Sequence, residues 1–344
     1  MSFNVRTAPF LFKGVKDVSQ CRTAKDVMIA AGLDWEVAKC EVVAKMPAKG
    51  FGYNEGGFVS GSDFYKEVPN AFSIYRTDNN TPLGMVKGRY TPVQNLEAFK
   101  FFDGAIGKDK AIWQTAGCFG NGERVFVSAK LPNNILVNGE DPVDNFLVFT
   151  TTHDGSGGVK ALLTPIRVYC QNTLNAAIAT STNYVSFRHT ASVLNNMDSA
   201  AELLGICRQK IDIVSSHYEQ MFKTKMTDKK VQEVFASVIL SNKELDMIKN
   251  TGHTVEQIVA KNWQAIQDTE ISMKKVNTIH QMNNYYFEGA GQRSIIGTGW
   301  GAYNAVTGYY SNVDEAVGLK RMDSLLYGDK SNKIETTGNI ILGY

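Results

Sequence analysis

The sequence predicts an α+β fold, in which a mostly antiparallel sheet from the N-terminal half packs against long helices from the C-terminal half. Strand-like runs separated by turn residues fill the chain up to about residue 170. Between two of them lies Asn121-Gly122, a dipeptide typical of a β-hairpin turn. From Asp198 onward the apolar residues adopt helical spacing instead of alternation. Segregated strands and helices are typical of the α+β class.

The N-terminal region, residues 1–66, is expected to hold one helix and a long loop. Thr23 begins the helical run TAKDVMIAAG, Asp26 stands three residues later as in a capping box, and Gly32 suits the left-handed stop. The stretch from Gly50 to Tyr65 is rich in glycine and aromatic residues. We interpret it as a mobile or functional loop, because so many glycines oppose a packed element.

Residues 67–194 are predicted to form the β-rich core. The runs AFSIYRT and LGMVKGRY flank the turn DNNTP and predict a hairpin. A helix, LEAFKFFDGAI, is expected after Asn95. Further strands are predicted at TAGCFGN, ERVFVSAKL, Leu131 to Asn138, Asn145 to Thr151 and Ala161 to Tyr169.

Residues 195–310 are predicted to be the helical part of the same domain, and residues 311–344 a C-terminal tail. A long amphipathic helix is indicated by apolar residues at Ala200, Leu203, Leu204, Ile211, Val214, Tyr218, Met221 and Phe222. Shorter helices are expected at Val231 to Leu240 and Val255 to Ile266.

Composition narrows the function only weakly. The net charge of +2 does not by itself favour nucleic acid, so any basic surface must come from local segregation of charge. The five cysteines have no metal-site or pairing spacing, which predicts free thiols and a cytoplasmic protein. We expect neither a secretory signal nor a membrane span, because no apolar run is long enough.

Several blocks of the sequence together resemble the phage/plasmid-like family of unassigned function. The blocks are GLDWEV, LGMVKGRYTPVQNLEAFKFFD, TAGCFGNGERVFVSAKLP, TTHDG, RVYCQNTLNAAI, FRHT and GTGWGAYNAVTGYY, in this order between about residues 30 and 310. The resemblance implies a phage or mobile-element context, often near genes for replication and recombination. It implies no catalytic residues, because none are established for the family.

Our leading hypothesis is a phage or mobile-element protein that binds single-stranded DNA as a homo-oligomer, without a cofactor, in a role such as strand annealing. Cations interleaved with aromatic residues are what sequence-tolerant single-strand binding requires. The predicted contacts are Lys87, Arg89, Tyr90, Arg124, Lys130, Lys160, Arg167 and Arg188. The segment GLKRMDSLLYG also looks like a short basic helix of eukaryotic-type single-strand annealing proteins.

Two other functions stay open at this point. A metal-dependent hydrolase or nuclease would use His153, Asp154 and His189. The Asp-Gly-Ser-Gly-Gly sequence favours simple turn chemistry instead, with Asp154 accepting hydrogen bonds from loop amides. The third hypothesis is a structural or host-interaction protein without catalysis.

Overall fold

The strands of the N-terminal half form two antiparallel sheets and one short hairpin, as the computed structural model shows for the residues that it describes. These are residues 14–46, 52–54, 57–59, 64–100, 111–167, 172–173, 184–190, 200–315 and 318–343. The strands are β1 (Val15–Asp17), β2 (Val37–Met46), β3 (Gly52–Asn54), β4 (Gly57–Val59), β5 (Phe64–Arg76), β6 (Pro82–Val86), β7 (Ile112–Phe119), β8 (Arg124–Lys130), β9 (Ile135–Val137), β10 (Asp141–Thr152), β11 (Val159–Arg167), β12 (Asn172–Thr173) and β13 (Tyr184–Phe187).

The main sheet has the order β1-β7-β8-β10-β11-β12, with β9 paired to β10 and β13 paired to β11. A smaller sheet has the order β2-β5-β6, and β3 pairs with β4 alone. All these pairings are antiparallel. The β7–β8 hairpin turns at Asn121-Gly122, where Gly122 has a φ of 121°. The α+β prediction is therefore confirmed.

Helices dominate the second half of the chain. The helices are α1 (Ala24–Ala31), α2 (residues 95–100), α3 (Ala200–Lys223), α4 (Asp228–Ile239), α5 (Asn242–Asn250), α6 (Val255–Val259), α7 (Trp263–Thr269), α8 (Met273–Glu288), α9 (Gly299–Gly308), α10 (Gly318–Leu326) and α11 (Asp329–Leu342). A π-helical turn, Tyr309–Val313, follows α9 directly. No helix among the described residues is long and apolar enough to cross a membrane.

Capping residues explain where several helices begin and end. Thr23 accepts a hydrogen bond from the Asp26 amide and Asp26 bonds back to the Thr23 amide, so the predicted capping box is confirmed. Gly32 ends α1 in the left-handed conformation, with φ 66°. Ser241 with Glu244, at the start of α5, forms the same reciprocal box. These local signals are readable in sequence because they involve residues only three positions apart.

The two faces of the main sheet are covered by different parts of the chain. Alternate residues of β8 and β10, such as Val127 and Phe149, join a core cluster that extends from Val18 to Ile341 and includes most of the helices. The intervening residues face a second, smaller cluster that α10 closes with Met322 and Leu326. Helices from the region predicted as a tail thus pack on both faces.

Strand β2 and the first half of β5 escaped the sequence analysis. The run VAKCEVVAKM in β2 mixes charged and apolar residues without strict alternation, because part of it is exposed on both faces. The Gly50 to Tyr65 stretch, predicted as a loop, contains the short β3–β4 hairpin and the start of β5. Its other residues lie outside the described part of the chain.

Candidate nucleic-acid interface

Strand register brings several loops to one end of the main sheet. Arg124, the first residue of β8, lies opposite Thr152, the last residue of β10. Val159, the first residue of β11, lies opposite Phe187, the last residue of β13. We call this region the basic sheet end and define it as residues 87–91, Arg124, 152–160 and 188–190.

Tyr90 joins the loop 87–91 to the sheet and to the segment after β13. Its hydroxyl donates a hydrogen bond to the Thr152 carbonyl at 2.9 Å. Its ring stacks on His189 with 4.7 Å between centroids and 22° between planes. The Thr91 amide also donates to the His189 carbonyl at 3.1 Å. Burial, followed by the Asp154 charge, raises the pKa of Tyr90, so the hydroxyl stays protonated as a donor.

Three of the predicted cations are exposed on these two joined segments. Lys87 and Arg89 flank Gly88 in one segment, and Arg188 precedes His189 in the other. Within the described residues none of the three makes an ion pair. Their charges are therefore available to an anionic partner, and they sit on backbone held in place by the Tyr90–His189 stack.

Lys39 of β2 holds the loop 87–91 through hydrogen bonds to its backbone. Its ammonium donates to the carbonyls of Gly88 at 2.7 Å and Tyr90 at 3.2 Å, and lies 4.2 Å from the centroid of the Phe72 ring. Sequence reasoning missed Lys39, because no local signal marks a strand lysine whose acceptors are about 50 residues away. Lys39 fixes the conformation of the loop 87–91 and places a further positive charge close to Lys87 and Arg89.

Two further predicted cations lie at the same sheet end but under α10. Arg124 forms an ion pair with Asp323, and the Lys160 ammonium lies 4.3 Å from the centroid of the Tyr327 ring. Burial lowers the pKa of Lys160, with the nearby Arg124 charge acting in the same direction. Burial raises the pKa of Asp323, and Arg124 opposes that shift. Arg124 and Lys160 therefore already interact with side chains of the protein itself, which reduces the charge that they offer to an external anion.

The remaining two predicted cations lie at the opposite end of the sheet. Arg167 is fully buried; its Nε donates to the Asp141 carboxylate at 2.7 and 2.9 Å, and one terminal nitrogen donates to the Gly291 carbonyl at 2.9 Å. Asp141 also accepts from Trp300 Nε1 at 2.7 Å. Arg167 therefore joins the sheet to the helical half and cannot be a surface contact, contrary to the sequence prediction.

Lys130, the last residue of β8, pairs with Asp144 at 2.6 Å. Its side chain is partly exposed, but the neighbouring carboxylate offsets its charge. Arg124 begins β8 and Lys130 ends it, so the whole strand separates Lys130 from the basic sheet end.

His153 is buried and held as a neutral ring. Its Nε2 lies 2.9 Å from Asn95 Oδ1, and the Asn95 amide nitrogen donates to the Leu33 carbonyl, so His153 Nε2 must be the donor. The Trp35 ring packs against it edge-on at 5.5 Å. Among the described residues its Nδ1 has no hydrogen-bond partner. Burial lowers the pKa of His153 to about 3, and the nearby His189 adds to this shift.

His189 is also buried, and neither of its ring nitrogens has a hydrogen-bond partner within the part of the chain that the structure describes. Burial lowers its pKa to about 4. Asp154, whose charge acts on both histidines, instead bonds within its own turn. Its Oδ1 accepts hydrogen bonds from the Ser156 amide at 2.9 Å and hydroxyl at 2.6 Å, the turn geometry that the sequence favoured.

The described residues contain no group of three or more His, Cys, Asp or Glu side chains that could hold a metal ion. Cys21, Cys40 and Cys118 are free thiols. Cys170, one of the five cysteines expected to be free, lies outside the described residues together with Tyr169. The same holds for the side chains of Cys207, Tyr184 and Phe187.

Two glycines allow the small sheet to pack against the turn after β10. A Cβ on Gly84 of β6 would lie 2.4 Å from the Asp154 Cα, so only glycine fits. Gly155 has a φ of 77°, and a Cβ there would lie 2.9 Å from Val86 Cγ1. The blocks LGMVKG and TTHDG, separate in sequence, are therefore in direct contact. This contact places Lys87 and Arg89 beside the main sheet.

The fold and this site define an α+β protein with a cationic loop cluster at one end of its main sheet. The family model described as a domain of unknown function (DUF932) matches residues 82–326. This match covers more than half of the chain, which therefore belongs to that family. No curated protein and no solved structure matches the chain. The matched region begins in β6 and ends with α10, so it includes the whole basic sheet end.

Proposed function

We propose that the protein binds single-stranded DNA through the basic sheet end. The observation that carries the proposal is the convergence of Lys87, Arg89 and Arg188, exposed and held on two loops that the Tyr90–His189 stack joins. Phosphate groups gain affinity from such cations mainly by releasing condensed counterions. Because the loops are fixed before binding, little conformational entropy is lost when a strand is bound.

In this proposal the protein acts as a homo-oligomer in the host cytoplasm, in the recombination or replication of a phage or plasmid. A single strand is contacted along its backbone, so several copies side by side extend the bound length. Binding requires no nucleotide cofactor, since the contacts are ionic. Strand annealing would follow if the bound strands keep their base edges accessible to a complementary strand.

The direct test is fluorescence anisotropy of a labelled oligothymidine with increasing protein, repeated over a salt series. The triple variant Lys87→Gln/Arg89→Gln/Arg188→Gln should lose at least about tenfold in affinity at low salt. Its slope of log affinity against log salt should fall by about 2, since each lost single-strand phosphate contact removes about 0.7.

The matched control is Lys243→Gln/Lys249→Gln/Lys274→Gln, which removes the same charge from exposed positions in the helical half. It should leave affinity and salt slope nearly unchanged. Equal losses in both triple variants would mean that net charge, and not this site, determines binding. No binding of the wild-type protein at low salt would overturn the proposal and favour a structural or host-interaction protein.

A metal-dependent hydrolase remains the second candidate because of the buried imidazoles. His153 Nδ1 and both ring nitrogens of His189 have no hydrogen-bond partner in the described ranges, and unpartnered buried nitrogens are potential ligands. Against this candidate, the Asp154 carboxylate is used in its turn. Elemental analysis of protein purified without chelator tests it: stoichiometric zinc or manganese that is lost in His153→Ala, together with DNA cleavage, would make the hydrolase the better assignment.

A further inference from the structure

Strand β5 contains an insertion where it passes β2. Val42 alone of β2 faces residues 68–71 of β5, because the register between the two strands shifts there. We call residues 68–71 the β5 insertion. It includes Pro69, which has no amide hydrogen to donate to a strand ladder, and proline inside a sheet is confined to edges and irregular positions. The insertion is therefore encoded locally, and its next residue shows what it does.

Asn70 of the insertion bonds the loop that follows β6. Its φ is 54°, a left-handed conformation that asparagine adopts more readily than most residues with a side chain. Its Oδ1 accepts a hydrogen bond from the Gly88 amide at 2.8 Å. Phe72 of β5 pairs with Val86 of β6, and the same register continued by two residues sets Asn70 opposite Gly88. The side-chain oxygen thus replaces a backbone acceptor at the point where β5 leaves the regular ladder.

Both backbone groups of Gly88 are held by side chains of the small sheet. Its amide donates to Asn70, and its carbonyl accepts a hydrogen bond from Lys39 Nζ at 2.7 Å. Gly88 is also the second residue of a β-turn, because the Tyr90 amide donates to the Lys87 carbonyl at 3.0 Å. The backbone that carries the two exposed cations of this loop is therefore fixed before any ligand binds.

The contact between Asn70 and Gly88 requires a glycine. A Cβ on Gly88 would lie 2.7 Å from Asn70 Oδ1, while the nearest other described residue, Phe72, is 3.7 Å away. The φ of Gly88 lies outside the left-handed region, so alanine would cause no backbone strain there. A methyl group at position 88 would thus displace the Asn70 side chain and disturb little else.

We propose that Asn70 is a positioning residue of the basic sheet end: it holds Gly88 so that Lys87 and Arg89 keep, in the free protein, the geometry in which they bind a strand. This inference rests on the proposed single-stranded DNA binding and adds the β5 insertion to its site. Asn70 is uncharged and acts through the loop, by reducing the conformational entropy that is lost on binding. Its removal therefore lowers affinity without removing an ionic contact.

The variant Asn70→Gly tests this role, because it removes the side chain and tolerates the left-handed backbone. In the oligothymidine anisotropy measurement its affinity should fall roughly fivefold, the scale of one hydrogen bond. Its slope of log affinity against log salt should stay at the wild-type value, whereas loss of a phosphate contact would lower the slope by about 0.7. The matched control, Asn80→Gly, replaces another left-handed asparagine, with φ 56°, in the turn before β6, and should keep wild-type affinity.

A double-substitution cycle tests the contact itself. Gly88→Ala should lower affinity about as much as Asn70→Gly does, because the methyl group displaces the Asn70 amide. In the Asn70→Gly background, Gly88→Ala should cause little further loss, because the atom that it would displace is absent.

Hydrogen exchange gives a readout without nucleic acid. The peptide that spans residues 86–91 should lose protection in the Asn70→Gly variant, because the Gly88 amide no longer has its acceptor. The same peptide should keep its protection in Asn80→Gly.

Wild-type affinity of Asn70→Gly, a reduced salt slope of that variant, additive losses in the cycle or unchanged protection of the peptide would each overturn the positioning role while the proposed function stands. Absence of oligothymidine binding by the wild-type protein would overturn both. The wild-type measurement therefore separates failure of the positioning role from failure of the proposed function.

Discussion

Cationic side chains lie at both ends of the main sheet, but they are exposed at one end and buried at the other. At one end, Lys87, Arg89 and Arg188 are exposed on loops. At the other, Arg167 is fully buried between Asp141 and the Gly291 carbonyl. Sequence treats these arginines alike, since each stands in or beside a strand with aromatic neighbours. Burial and partners decide that one end is a candidate binding surface and the other an internal joint between sheet and helices.

The largest expected loss of unfolding free energy comes from removing the buried Arg167 side chain. Arg167→Ala leaves the Asp141 carboxylate without its cationic partner and removes the donor to the Gly291 carbonyl. Removing one partner of a buried ion pair typically costs about 3–5 kcal/mol. Urea denaturation should show this loss of unfolding free energy. Arg89→Ala, at the other end, should change it by less than about 0.5 kcal/mol. Similar losses for both variants would contradict the distinction between the two ends.

Acidification should destabilise the basic sheet end through its two buried imidazoles. The pKa values of about 3 for His153 and about 4 for His189 lie below the unfolded value, so only the unfolded chain binds protons between about pH 6.5 and 4. The histidine contribution is thus complete above pH 6.5 and is lost as the pH falls toward 4. Between pH 7.5 and 5 we expect a loss of about 2 kcal/mol for each histidine.

His189→Phe should remove about half of this pH dependence. The substitution breaks no side-chain hydrogen bond to any described residue, because neither ring nitrogen has a partner there. The phenyl ring retains a stacking surface for Tyr90. Denaturant midpoints measured at pH 7.5 and 5 provide the comparison. A variant that loses as much stability as the wild type would show that other groups cause the acid sensitivity.

The contact between the small sheet and the turn after β10 should require glycine at position 84, which has no side chain. Gly84→Ala forces a methyl group to within 2.4 Å of the Asp154 Cα, and overpacking of this kind costs about 1–3 kcal/mol. The control is Gly157→Ala, whose added Cβ would lie 3.3 Å from the Thr152 side chain, a contact that a shift of a few tenths of an ångström relieves. Thermal unfolding should separate the two variants, and equal melting temperatures would contradict the close packing of β6 on this turn.

The smallest expected effect on stability comes from removing the carboxylate that pairs with Arg124, which belongs to Asp323 of α10. Arg124 and Asp323 are partly exposed, so their ion pair contributes only about 0–1 kcal/mol to stability. Asp323→Asn should therefore leave unfolding nearly unchanged. It should raise oligothymidine affinity a few-fold, because it removes a negative charge beside Arg124 at the basic sheet end. Unchanged affinity would place the bound strand away from α10.

Sequence patterns determined the features whose causes lie close together along the chain. The capping box at Thr23, the Asn121-Gly122 turn and the change to helical spacing after residue 195 predicted the α+β architecture, because each depends on residues a few positions apart. The Asp154 turn was predictable for the same reason. Of the candidate site, sequence supplied the exposed cations and Tyr90, though not how they are joined.

Tertiary structure alone decided which predicted residues belong together. Arg167 became an internal residue because β11 ends against the loop before α9, a contact across more than 120 residues. Lys39 and Asn95 support the basic sheet end through partners about 50–60 residues away, which no local pattern encodes. Charge and periodicity are properties of the chain, whereas burial and partner are properties of its packing.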